Sequence, residues 1–197
     1  MARFARAMYE AGAGQREVLH ACYDVELPDE FFALAADPEL FEDTEYNGVS
    51  YGMPPWTNQP WQMAVPLEWG GPDPEADGLD RIEQWLLAVD PGFLPLLDHT
   101  DRWPVPGGQL LCYHIDELLA GRPAVFGVPP GYDGGTAPPR VGGSLLEVLL
   151  GYQRDVVRAV EKEYAAAWGP EADEDRVAVS KLWLARLERV QRRLSGG

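Results

Sequence analysis

Apolar residues change their period along this chain, and each change predicts a different element. Near the amino end the spacing is helical. Val18, Leu19 and Cys22 share one side of a helix predicted over Gln15–Tyr23, and a second short helix starts at Pro28, whose fixed φ suits a first helical position. Phe31, Phe32, Leu34 and Ala35 are its apolar positions. Residues 48–143 then hold 15 Pro and 15 Gly among 96 residues, which excludes long helices there and predicts short strands joined by irregular turns. The strands are read at Gly48–Gly52, at Gln62–Trp69, at Gln109–Ile115 and at Ala124–Val128. In Gln62–Trp69 the residues Met63, Val65, Leu67 and Trp69 alternate, and Pro66 makes it an edge strand because proline cannot donate to a ladder. One helix interrupts this region over Ala76–Val89, where Leu79, Ile82, Leu86 and Val89 recur behind an Asp77 cap and Pro91 closes the run.

The helical period returns at Ser144-Leu145-Leu146-Glu147, which has the spacing of a capping box. A long helix follows with Leu146, Leu149, Leu150, Val157, Val160 and Tyr164 on one stripe, and Gly169-Pro170 ends it. The last helix, residues 171–194, starts with Glu171, Asp173, Glu174 and Asp175 and ends in arginines, as a helix dipole favours. Strands in sequence with short connections favour an antiparallel sheet, so the fold class is α+β: a mainly antiparallel sheet flanked by helices, with a C-terminal helical hairpin. A length of 197 residues suits one such domain over residues 1–151, with residues 152–197 as a helical extension packed on it.

Charge narrows the function. The 16 Lys and Arg face 32 Asp and Glu, a net charge of −16, and a surface so acidic repels nucleic-acid phosphates and anionic headgroups. Neither direct nucleic-acid binding nor membrane binding is expected. Residues 17–101 hold 19 acids and only Arg81, a balance of −18, whereas residues 176–197 carry six basic residues against Glu188, or +5. Two explanations stay open: a solvated acidic surface with an ordinary basic helix end, or an electrically polar molecule that uses one end for binding. The first 15 residues lack the apolar run of an export signal and no stretch is long enough to span a bilayer, so the expected compartment is the cytoplasm, with Cys22 and Cys112 as reduced thiols.

Candidate chemistry is sparse. His20, Cys22, Cys112 and His114 contain the ligand types of a zinc site, but residues two apart diverge on a helix, so His20 and Cys22 do not converge and no metal is expected. Ser144 lacks the Gly-x-Ser-x-Gly frame of a nucleophile and reads as a cap. No phosphate loop or dinucleotide fingerprint is present, and no cofactor is expected. Of the tryptophans, Trp69 and Trp85 are expected in the core. Trp56 and Trp61 lie in the turn-like run Met53–Trp61, where each is either core or an exposed interface anchor or sugar platform.

Two segments carry a family resemblance. Arg16-Glu17-Val18-Leu19 followed by Leu27-Pro28-Asp29-Glu30-Phe31-Phe32-Ala33-Leu34 resembles the opening of the SUKH superfamily, which includes yeast cell-wall-synthesis regulators and many bacterial immunity proteins. Ser144-Leu145, with Val148-Leu149, looks like that family's closing helix, so the resemblance covers about residues 15–152. The family's Asn-Gly-Gly turn after the first motif is missing, and the helices beyond Gly151 exceed its usual length. The resemblance implies a non-enzymatic binding module, in bacteria an immunity protein neutralising a basic, nuclease-type toxin. Candidate contacts with such a partner are Trp56, Trp61, Glu68, Asp73, Glu75, Asp77 and Asp80. The alternative is a small-ligand or carbohydrate-binding protein, or a small hydrolase, using tryptophans and paired carboxylates.

Overall fold

The computed structural model describes residues 1–37, 40, 60–75, 81–99, 109–167 and 174–196. They form an α+β fold. Three helices open it: α1 (Ala2–Glu10), α2 (Gln15–Tyr23) and α3 (Asp29–Ala35). Next come α4 (Pro60–Ala64), α5 (Arg81–Val89), β1 (Phe93–His99), β2 (Gln109–His114), α6 (Ile115–Leu119), β3 (Val125–Val128) and β4 (Arg140–Gly142). The long helices α7 (Leu145–Ala167) and α8 (Glu174–Ser195) close the chain as the expected hairpin. No helix among the described residues is long and apolar enough to cross a membrane.

The four strands lie in sequence order, each antiparallel to the next. Their alternation divides the apolar residues between two faces. Leu94, Leu97, Leu111, Tyr113 and Val125 join the large core built with helices α1–α4, α7 and α8. Phe93, Leu110, Cys112 and Val128 form a smaller cluster with Leu86 and Tyr132, against which half-buried Trp85, Val89 and Phe126 pack. Each large apolar side chain buried in this way contributes about 1.5–3 kcal/mol.

Helix α2 occupies the residues that the periodicity predicts, and α3 begins directly after Pro28, which serves as its N-cap. Strands β2 and β3 match two predicted strands to within a residue. The predicted strand Gln62–Trp69 is absent: α4 and a single 3-10 turn over Leu67–Trp69 take its place. Pro60 supplies a helix start, and Trp61, Met63 and Ala64 all face the core, which a strand cannot arrange on one side. Strand β1 escapes prediction because Pro95 interrupts it; the sheet accommodates the proline at an edge, beside a bulge between Pro95 and Leu97. The strand expected at Gly48–Gly52 and the Asp77 cap lie outside the described residues.

The 151/152 boundary falls inside α7, which runs through it unbroken. Val156, Val160, Trp183, Leu187 and Val190 from the hairpin share one hydrophobic cluster with Val18, Phe31 and Leu34. Polar links tie the hairpin together. Buried Gln153 donates its Nε2 hydrogen to the carbonyl of Ser180 at 3.0 Å, and Lys181 pairs with Glu161 at 2.7 Å.

The Ser144 half of the expected capping box at the start of α7 forms, and the Glu147 half is displaced by one residue. Ser144 Oγ accepts from the Glu147 amide at 3.1 Å, and Glu147 Oε2 accepts from the amide of Gly143, one residue before the cap, at 3.0 Å. A third partner comes from α3: Glu30 Oε1 accepts from the Leu145 amide at 2.6 Å and from the hydroxyl of buried Tyr113 at 3.3 Å. Glu30 thus joins the two sequence segments quoted for the family resemblance. Burial first, then the neighbouring Glu30 carboxylate, pushes the Tyr113 phenol well above its ordinary value.

Candidate functional site

The segment from Val65 to Glu75 is a loop held from beneath and exposed above. Pro66 caps the 3-10 turn, and its one carbonyl accepts from both the Trp69 and the Gly71 amide, at 3.0 and 3.2 Å. Gly70 then turns left-handed at φ 90°, a conformation that favours glycine. A Cβ on Gly71 would stand 2.7 Å from the Val65 carbonyl oxygen, so glycine is required there too. Beyond it, helix α1 fastens the loop by two arginines. Arg6 donates from Nε and Nη2 to the Pro72 carbonyl at 3.1 and 2.8 Å, and Arg3 donates from Nε to that of Pro74 at 3.3 Å. Asp73 Oδ1 accepts from the Glu75 amide at 2.9 Å, closing a local turn.

On this loop Glu68, Trp69, Asp73 and Glu75 are exposed. Trp69 keeps 45% of its surface in water, which corrects its expected place in the core. It sits in the last position of the 3-10 turn, where the chain leaves the body for Gly70. The Gly70-Gly71-Pro72 sequence directly after it is the signal that marks this tryptophan as a loop residue.

The other predicted contacts divide differently. Trp61 is fully buried, at 0% exposure, and its ring meets Phe31 edge to face with centroids 5.2 Å apart. It is a core residue and not a partner contact, because α4 turns it toward α2 and α3. Trp85 is half-buried against the smaller cluster. Trp56, Asp77 and Asp80 lie outside the described residues.

The cysteines and histidines do not assemble. Exposed His20 pairs with Glu26 at 3.3 Å, and the half-buried Cys22 thiol lies 3.8 Å from Met63 Sδ in the large core. Cys112 is buried in the smaller cluster across the sheet, and His114 packs its ring 4.9 Å from that of Phe93. Among the described residues no three His, Cys, Asp or Glu side chains gather as metal ligands would. Burial raises the pKa of Cys22 and raises that of Cys112 well above the ordinary value, so both stay protonated at neutral pH. Ser144 is occupied as a helix cap.

The candidate surface is therefore a loop fastened by hydrogen bonds, carrying three carboxylates and one exposed indole in the acidic half of the chain. Compared with family models, curated proteins and solved structures, the chain matches none of them.

Proposed function

We propose that this chain is a cytoplasmic, non-enzymatic binding module whose acidic half engages a basic protein. The SUKH resemblance points to an immunity-type role, in which the partner is a nuclease-type toxin. The observation that carries this reading is the fastened loop with Glu68, Trp69, Asp73 and Glu75 outward. A nuclease must hold phosphates and therefore has a basic active site, which an acidic surface can enter and occlude. The carboxylates steer the encounter, and Trp69 supplies the apolar anchor that a lasting contact needs. Holding the loop in place beforehand lowers the ordering cost of binding.

Affinity capture from the source cell tests the proposal, with three baits: the native chain, Trp69→Ala, and the triple substitution Glu68→Gln, Asp73→Asn and Glu75→Gln. A basic protein held by the native chain and weakened by both variants is the expected result. Recovery of acidic partners only, or equal recovery by all three baits, contradicts it.

A further inference from the structure

Helix α1 is held to the fold by little apolar surface. Its buried residues are Ala2 and Ala5, whose methyl groups offer far less area than Phe31 and Leu34 of α3, while Met1 and Phe4 each leave 52% of their surface in water. Met8 and Tyr9 are half-buried against the large core. What α1 adds is a set of side-chain hydrogen bonds to backbone carbonyls, and these land on one stretch of chain: Tyr9 on Met63, Arg6 on Pro72 and Arg3 on Pro74. That stretch needs outside donors. Pro72 and Pro74 supply no N–H with which to close a turn or a ladder, and the Glu75 amide is spent on Asp73. Between α1 and α2 the chain turns at Gly12 with φ 89°, and nothing lies within 4 Å of where a Cβ there would stand, so no neighbouring side chain locks the turn.

We infer that α1 is a strap that opens together with the 65–75 loop as one unit, pivoting at Gly12, while α2, α3, α7 and the sheet stay folded. A segment with few buried apolar contacts and solvent-reachable hydrogen bonds opens at lower cost than the core. The tethers of α1 are of this kind, since Arg3 is exposed and Arg6 and Tyr9 are half-buried. When α1 leaves, the Pro72 and Pro74 carbonyls lose their donors and the loop loosens. The coupling is reciprocal, so loosening the loop frees α1. Release of the strap thereby regulates the surface formed by Glu68, Trp69, Asp73 and Glu75. This last consequence rests on the proposed binding role of that surface, whereas the opening itself does not.

Amide hydrogen exchange of the full chain, read by mass spectrometry on peptides from α1, the loop, α2 and α7, provides the test. In the loop the Trp69, Gly71 and Glu75 amides are hydrogen-bonded and report its opening. Helix α1 and these loop amides should exchange at least about tenfold faster than α2 and α7. The double substitution Arg3→Ala and Arg6→Ala should quicken both α1 and the loop at least about threefold, with α2 and α7 unchanged as the sign that the variant is folded. Alanine is the better helix former, so quickening of α1 reports lost tethers and not lost propensity. Gly71→Ala, acting from the loop side, should quicken α1 in return. An α1 protected as strongly as α2, or one that responds to the double substitution while the loop does not, would overturn the inference. These readings need no partner, so failure of the proposed binding role leaves them unchanged. A double variant that exchanges as expected yet captures the basic partner as well as the native chain does would contradict the regulatory consequence.

Discussion

Trp61 and Trp69 stand eight residues apart and have opposite fates. The first lies in α4 and is sealed between helices; the second ends a 3-10 turn and stands in water. Both segments contain proline and apolar neighbours, so composition does not separate them. The difference lies in what holds each segment. Helix α4 turns Trp61, Met63 and Ala64 into the core, whereas the loop after Pro66 has its Pro72 and Pro74 carbonyls fastened by Arg6 and Arg3 and leaves Glu68, Trp69, Asp73 and Glu75 exposed. One indole holds the fold together. The other is available to a partner.

Substitution should separate these roles cleanly. Trp61→Ala empties a fully buried site and should cost about 3–5 kcal/mol in urea unfolding. Trp69→Ala should change stability by no more than about 0.5 kcal/mol. Comparable losses from the two would erase the distinction.

Gly71→Ala is the next largest effect, because its Cβ would press on the Val65 carbonyl. The loss should be about 1–3 kcal/mol, with amide exchange quickening in the loop before it quickens in α4. A neutral Gly71→Ala would show that the loop yields easily and is not held as described.

Ser144→Ala supplies a reference remote from both tryptophans, with an expected loss of about 0.5–2 kcal/mol by thermal or urea unfolding. Binding by the folded variant should be unchanged. A hydrolytic activity abolished by this substitution at full stability would instead point to an enzyme.

The smallest effect concerns Tyr9, which ties α1, the helix that fastens the loop, to α4 by donating its hydroxyl hydrogen to the Met63 carbonyl. Burial, with a smaller contribution from Cys22, raises its pKa to about 12. Because the unfolded phenol ionises near pH 10, the folded state holds its proton more tightly; this contribution to stability is complete below pH 10 and is lost as the pH rises toward about 12. Tyr9→Phe should flatten the alkaline stability profile in that window. An unchanged slope would show that Tyr9 does not couple the two elements.

Long periodic segments were legible in the sequence, short or proline-containing ones much less so. Val18, Leu19 and Cys22 locate α2, and the Ser144 cap locates the start of α7, because several residues repeat one period or one local bonding pattern. The five residues of α4 are too few to establish a helical period, and the alternation from Met63 to Trp69 imitates a strand. Strand β1 is hidden by Pro95, whose tolerance depends on an edge and a bulge that only the assembled sheet provides. Charge identified Glu68, Asp73 and Glu75 as surface residues. The burial of Trp61 and the exposure of Trp69 depend on contacts from helices distant in sequence, so aromatic content alone cannot assign them.

On the proposed function, carboxylates on the 65–75 loop govern encounter while Trp69 governs persistence. Binding kinetics with the captured basic partner, measured across salt for the native chain and its two variants, test it most directly. The triple carboxylate substitution should slow association and flatten its salt dependence, with little change in dissociation; Trp69→Ala should quicken dissociation and leave association nearly intact. Association indifferent to salt and to the triple substitution, or dissociation unmoved by Trp69→Ala, would contradict the account.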